Sequence, residues 1–108
     1  MSVIPLPTAG QTVFDRAELE RILQLYGQMV AAGEWRDYAI SFSPQMATFS
    51  AFRRAAERPE IRLVKEPTLR MKQGQYSLIG EAGQTLKRGN DLSAVLAPAT
   101  RRLLKLVD

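Results

Sequence analysis

Residues 14–42, Phe14-Asp15-Arg16-Ala17-Glu18-Leu19 through Gly33-Glu34-Trp35 to Tyr38-Ala39-Ile40-Ser41-Phe42, hold two different hydrophobic periods side by side. In the first, Leu19, Ile22, Leu23, Tyr26, Met29 and Val30 recur at helical spacing and form one apolar stripe with Leu23 at its centre. Asp15 stands where a helix needs an N-cap. Glu18, three positions later, completes a capping box, and Phe14 and Leu19 occupy the two places of a hydrophobic staple. Gly33 offers the stop, because glycine enters the left-handed C′ conformation without a Cβ clash. These signals predict a helix over about 16–32. In the second period, Tyr38, Ile40 and Phe42 alternate with Asp37, Ala39 and Ser41, the pattern of a half-buried strand.

Outward from this stretch the alternation continues. Ser43-Pro44-Gln45 is a turn. A second strand is expected over about 47–54, with Ala47, Phe49 and Ala51 on one face and Thr48, Ser50, Phe52 and Arg54 on the other. A third strand, 61–66, stops at Pro67, which cannot donate to a ladder. A polar, basic loop follows over 68–74. A fourth strand over 75–82 turns at Gly83-Gln84 into a short fifth piece, 85–87. The chain then returns to helical period with Leu92, Val95, Leu96, Ala99, Leu103 and Leu106, capped by Asn90 or Asp91. Pro98 interrupts this helix by removing one backbone donor and crowding the carbonyl of Ala94. Residues 1–13, with Pro5, Pro7 and Gly10, read as a flexible leader before a single domain over 14–108.

Neither helix buries its stripe alone. The economical packing is an α+β two-layer sandwich: an antiparallel meander of four to five strands with the N-terminal and C-terminal helices on one face. The opposite face is left to solvent or to a partner.

Composition narrows the chemistry. The 108 residues include no histidine and no cysteine. A Ser-His pair, a cysteine nucleophile, a zinc site and an iron–sulfur cluster each need one of those side chains. No phosphate-loop pattern occurs, Gly80-Glu81-Ala82-Gly83 having the look of a hairpin tip. Glu34 and Asp37 are the nearest approach to a carboxylate pair, yet in a strand they lie on opposite faces. The expectation is a protein that is not an enzyme and carries no cofactor. No apolar run approaches the ~18 residues of a membrane span, and residues 1–14 lack the basic and apolar regions of a signal peptide. With no cysteine to form disulfides, these features point to the cytoplasm.

Charge is uneven. Residues 53–88 hold nine Lys and Arg against four Glu, while the whole chain carries a net +4. Phe52 and Arg54, with Arg62 of the next strand, are placed to share a basic, aromatic outer sheet face, and Arg53 stands between the first two in the chain. Lys87 and Arg88 precede the last helix, where free N–H groups attract anions. Asp91 as the cap occupies those donors itself. These six residues are the candidate site for nucleic acid or another anionic partner, by base stacking and phosphate contact. The leading expectation is a non-catalytic protein-interaction module, a homodimer or an accessory subunit, built around the open sheet face. Trp35 reads as a core residue anchoring the first strand against helix one.

Three blocks together resemble a known family. They are Leu25-Tyr26-Gly27 with Met29 through Ile40; Phe49-Ser50 with Phe52-Arg53-Arg54-Ala55; and Gln73-Gly74, Tyr76-Ser77 and Leu86-Lys87-Arg88-Gly89 with Asp91-Leu92. The resemblance is to small alphaproteobacterial proteins grouped as a domain of unknown function, over about 14–106. It implies a bacterial, cytoplasmic origin and brings no activity with it. The helix–strands–helix order also resembles, in topology alone, the double-stranded-RNA-binding domain. That family places a lysine cluster at the start of its last helix, whereas here Lys87 and Arg88 precede the cap and Asp91 follows them.

Overall fold

The computed structural model describes residues 5–54 and 57–107. Helix α1 spans Arg16–Ala31, and the strands are β1 Asp37–Phe42, β2 Ala47–Phe52, β3 Ile61–Lys65, β4 Tyr76–Gly80 and β5 Thr85–Gly89. A 3-10 turn, Pro67–Leu69, precedes β4, and two further helices, α2 Leu92–Val95 and α3 Ala97–Val107, complete the chain. The strands form one antiparallel sheet in the order β1-β2-β3-β4-β5, the meander expected from the sequence.

Local chemistry explains the ends of these elements. The Asp15 carboxylate accepts from the Glu18 N–H at 2.8 Å, and Glu18 accepts from the Asp15 N–H at 2.7 Å, which closes the capping box. Gly33, at φ +81°, ends α1. Asp91 caps α2 by accepting from the N–H groups of Ser93 and Ala94, so this carboxylate fills the donors that an anion would use. Pro98 breaks the C-terminal helix in two and stands at the second position of α3, where its missing N–H leaves no helical bond unmade.

Register builds the two layers. Tyr38, Ile40 and Phe42 of β1 stand opposite Ala51, Phe49 and Ala47 of β2, which stand opposite Ile61, Leu63 and Lys65 of β3. This face joins Ile22, Leu25 and Met29 of α1, Val95 of α2, Ala99 and Leu103 of α3 and Leu96 between the last two helices in one core. Trp35 sits within it. Tyr26 packs edge-on against Tyr38, whose ring stacks on Phe49.

Several expected details shift. The buried row of α1 is Glu18, Ile22, Leu25 and Met29, so the helix is rolled relative to the predicted stripe. Leu23 is only half-buried and Val30 is exposed. The roll brings the Glu18 carboxylate onto β3 and β4. β2 stops at Phe52, so Arg54 lies in a bend instead of sharing a strand face with Phe52. β5 runs on to Gly89, and a bulge opposite Leu78 and Ile79 places Leu86 as an extra residue in that strand. In α3, Leu106 is exposed.

Gly74 and Gly89 meet where β4 begins and β5 ends. Gly74 has φ +101°, and a Cβ built on it would lie 2.6 Å from the Gly89 Cα. Only glycine meets both the backbone angle and the spacing.

Candidate interaction surface

All three helices lie on one side of the sheet. The other side is assembled by alternation and register. Ala39, Ser50, Arg62, Ile79 and Thr85 run across the strands in one row, and Ser41, Thr48, Val64, Ser77 and Arg88 in the next. No acidic residue stands in either row, and Arg62 and Arg88 supply their only charges. Val64 and Ser77 are 8% and 3% exposed although Val64 lies outside the main core, so the middle of this face is closely packed. Ala39, Ser41, Arg62 and Thr85 around it are exposed. The accessible part of this face is rich in Ser and Thr, with Val64 buried at its middle.

The six residues singled out from the sequence do not converge. Phe52, half-buried at the end of β2, and the two arginines Arg62 and Arg88 belong to the outer face. Arg53 is committed internally, its guanidinium donating to Glu60. Arg54 faces Glu57 at 3.5 Å. Lys87 pairs with Leu78, a core-face position, because of the bulge in β5, and so leaves the outer face. Arg62 instead joins Arg58 around a cleft of about 210 Å³, lined also by Pro59, Glu81 and the glycines of the β4–β5 turn.

Two polar clusters lie between the layers, one at each end of the sheet. At the Glu60 end, the carboxylate, 6% exposed, accepts from the Trp35 indole N–H at 3.0 Å and from the guanidinium groups of Arg53 and Arg102. Arg102 also donates to Glu34. Burial is the largest influence on Glu60 and pushes its carboxyl pKa up. The hydrogen bonds from Arg102, Trp35 and Arg53 together outweigh burial and hold it below the ordinary carboxylate range. Hydrogen bonding to Glu60 is also the largest influence on Arg102 and strengthens its hold on its proton. A cavity of about 80 Å³ adjoins this cluster between Leu78, Leu86, Pro98 and Ala99.

At the opposite end, Lys65 Nζ donates to Glu18 at 2.7 Å and to the Val13 carbonyl at 2.9 Å, and the Tyr76 hydroxyl donates to the other Glu18 oxygen. Burial, followed by the bond to Glu18 and its charge, pushes the Tyr76 hydroxyl pKa well above the ordinary range. Both clusters saturate their carboxylates with internal donors, which suits them to hold helices on a sheet. Sequence reading missed both, since their partners lie 25 to 68 residues apart, apart from Arg53 and Glu60, and carry no shared motif. Glu18 alone had a local signal, the capping box. Among the described residues no cluster of acidic side chains is placed to hold a metal ion, and no helix is long and apolar enough to cross a membrane.

The two edges of the sheet differ. β5 is bulged, carries Lys87 and Arg88, and has α2 packed beside it. β1 is regular over its six residues, with one charge, Asp37. Its turn bond, Ser43 N–H to the Met46 carbonyl at 2.9 Å, sets the phase of the ladder to β2. By antiparallel alternation, Ala39 and Ser41 then direct their backbone groups to β2, and Tyr38, Ile40 and Phe42 direct theirs outward. At the ends of this edge two groups are already met from within the chain. The Asp37 carboxylate accepts from the Tyr38 N–H at 2.8 Å, and the Gln11 amide donates to the Phe42 carbonyl at 3.3 Å.

No curated protein and no solved structure matches this chain. One family model does, over residues 12–96, which take in α1, the whole sheet and α2. The chain, with its one-sided helices and open sheet, belongs to that family, DUF2794, described as proteins of unknown function.

Proposed function

We propose that this chain is a non-catalytic interaction module of the bacterial cytoplasm that binds protein through the open side of its sheet. The observation that carries this reading is the one-sided layering: every helix covers the same face, and the two central rows of the face left open carry Arg62 and Arg88 as their only charges. Antiparallel sheets tolerate water on one face, and such a face with few charges is also the cheapest to desolvate against another protein. The absence of histidine and cysteine, and the internal saturation of Glu18 and Glu60, support a role without chemistry. Light scattering on the pure protein, together with a pull-down from native lysate with and without nuclease, tests it. A mass above one copy, or nuclease-resistant capture of a defined protein, is expected. A strict monomer that captures no protein overturns the reading.

A second reading is nucleic-acid binding, which the Arg58–Arg62 cleft supports better than the dispersed Phe52, Arg53, Arg54, Lys87 and Arg88 do. Neither arginine has an ion pair among the described residues, and both stand exposed beside it. Phosphate contacts make affinity fall with salt, by roughly 0.7 logarithmic units per contact for single strands. Arg62→Ala is expected to flatten that slope, and no binding at low salt removes this reading.

A further inference from the structure

We propose that the free edge of β1 pairs with β1 of a second copy, antiparallel and centred on Ile40, so that the two sheets join into one. This rests on the reading of the chain as an interaction module and adds to its open face a second contact, at the sheet's edge, with a stated partner and register. The three residues with outward backbone groups, Tyr38, Ile40 and Phe42, are evenly spaced about Ile40. A two-fold axis through that point sets Ile40 against Ile40 of the second copy and Tyr38 against its Phe42. Each such pair can exchange both N–H···O bonds. The outward set is therefore its own complement.

The side chains agree with the same register. On the helix side Tyr38 meets Phe42, an aromatic pair of the kind that strengthens antiparallel ladders. On the outer side Ala39 meets Ser41, small residues at positions exposed in the single chain. Asp37 falls opposite Ser43, so no like charges are opposed. The axis stands perpendicular to the sheet and keeps both helix layers on one side, which extends the open face across both copies. β1 has none of the devices that blunt an edge along its middle: no proline, no lysine and no bulge. Among the described residues its protection lies at the ends, where Asp37 holds the Tyr38 N–H, Gln11 holds the Phe42 carbonyl, and Thr12 donates to the carbonyls of Ser43 and Pro44 just past the strand. The Asp37 and Gln11 bonds are single side-chain bonds that a partner strand replaces in kind, and the Thr12 bonds lie beyond the three outward residues. β5, bulged and basic, is no equivalent template.

The chain's lack of cysteine allows a register test. Ala39→Cys and Ser41→Cys are made separately, both on the exposed outer face. In the proposed dimer, position 39 lies opposite position 41 of the second copy at a non-hydrogen-bonded pair, about 4.5 Å between Cα atoms. That is within disulfide reach, whereas 39 to 39 or 41 to 41 is a diagonal of about 7–8 Å. Under mild oxidation the mixture of the two variants is expected to give a covalent dimer, and either variant alone little. Light scattering is expected to give twice the mass of one copy for the unmodified chain. A monomer up to the solubility limit overturns the pairing, and if that monomer captures another protein the interaction reading survives. A dimer whose mixed variants cross-link no faster than the single ones overturns this register, again without touching the broader reading.

Discussion

Leu25 is buried at the core-facing row of α1, Leu23 is half-buried beside it, and Asp15 caps the helix from outside. Three substitutions in one helix therefore separate three energies. Leu25→Ala is expected to cost about 2–5 kcal/mol, because it removes transfer energy and leaves a cavity. Leu23→Ala should cost less, since its cavity opens to solvent, and Asp15→Ala about 1 kcal/mol for the lost cap. Denaturant midpoints read through Trp35, the sole tryptophan and fully buried, give the ranking. If Leu23→Ala proved the most damaging, the roll of α1 described above would be wrong. Glycine substitutions sort in the same way. Gly83 and Gly74 both have positive φ, but a Cβ on Gly83 meets nothing within 4 Å while one on Gly74 strikes the Gly89 backbone. Gly83→Ala should cost about 1–2 kcal/mol from the backbone angle alone. Gly74→Ala should cost clearly more, since the strands must part. Equal melting points for the two variants would contradict the close approach.

At the level of elements, α3 is held to the sheet by a polar tie as well as by Ala99 and Leu103. Arg102 reaches from the helix to Glu60, next to β3, and to Glu34, between α1 and β1. Glu60→Gln keeps the shape and removes the charge. It is expected to cost about 3 kcal/mol, the low end for a broken buried ion pair, because Arg53 is half exposed and regains water. Hydrogen exchange should rise first in α3. Uniform protection loss across the sheet would show that Glu60 supports the whole core instead. This tie marks the boundary of what was legible from the sequence. Element order, the two helix caps, the break at Pro98 and the core faces of β1 to β3 were readable, because period, capping and proline geometry act within a few residues of chain. The roll of α1 was not, since it depends on Lys65 and Tyr76 donating to Glu18 from far along the chain. The candidate site fared similarly. The open face with Phe52 and Arg62 followed from alternation, but the capture of Arg53 by Glu60 and the bulge that turns Lys87 aside depend on register between distant strands.

For the whole molecule, the two polar clusters close opposite ends of one core, and they titrate in opposite directions. Glu60 has its pKa lowered on folding, so its contribution is full above the ordinary carboxylate pKa and is lost as pH falls through the folded value. Tyr76 has its pKa raised, chiefly by burial and then by Glu18. The folded chain holds that proton more tightly than the unfolded chain, so its contribution is full below the ordinary tyrosine pKa of about 10 and fades as pH rises past it. Stability should thus form a plateau with an acid limb set in part at the Glu60 end and an alkaline limb set in part at the Glu18 end. Tyr76→Phe removes the hydroxyl and leaves Glu18 with its Lys65 and Asp15 donors. It is expected to cost about 1.5–3 kcal/mol at neutral pH, for one hydrogen bond to a charged group. It should also flatten the alkaline limb while leaving the acid limb in place, and Glu60→Gln should do the reverse. The double variant should show both changes added, because the clusters share no side chain. Melting temperatures across the pH range decide the matter. If either single variant moved both limbs, the two ends of the sheet would be energetically coupled through the core, and the picture of two independent clamps would fail.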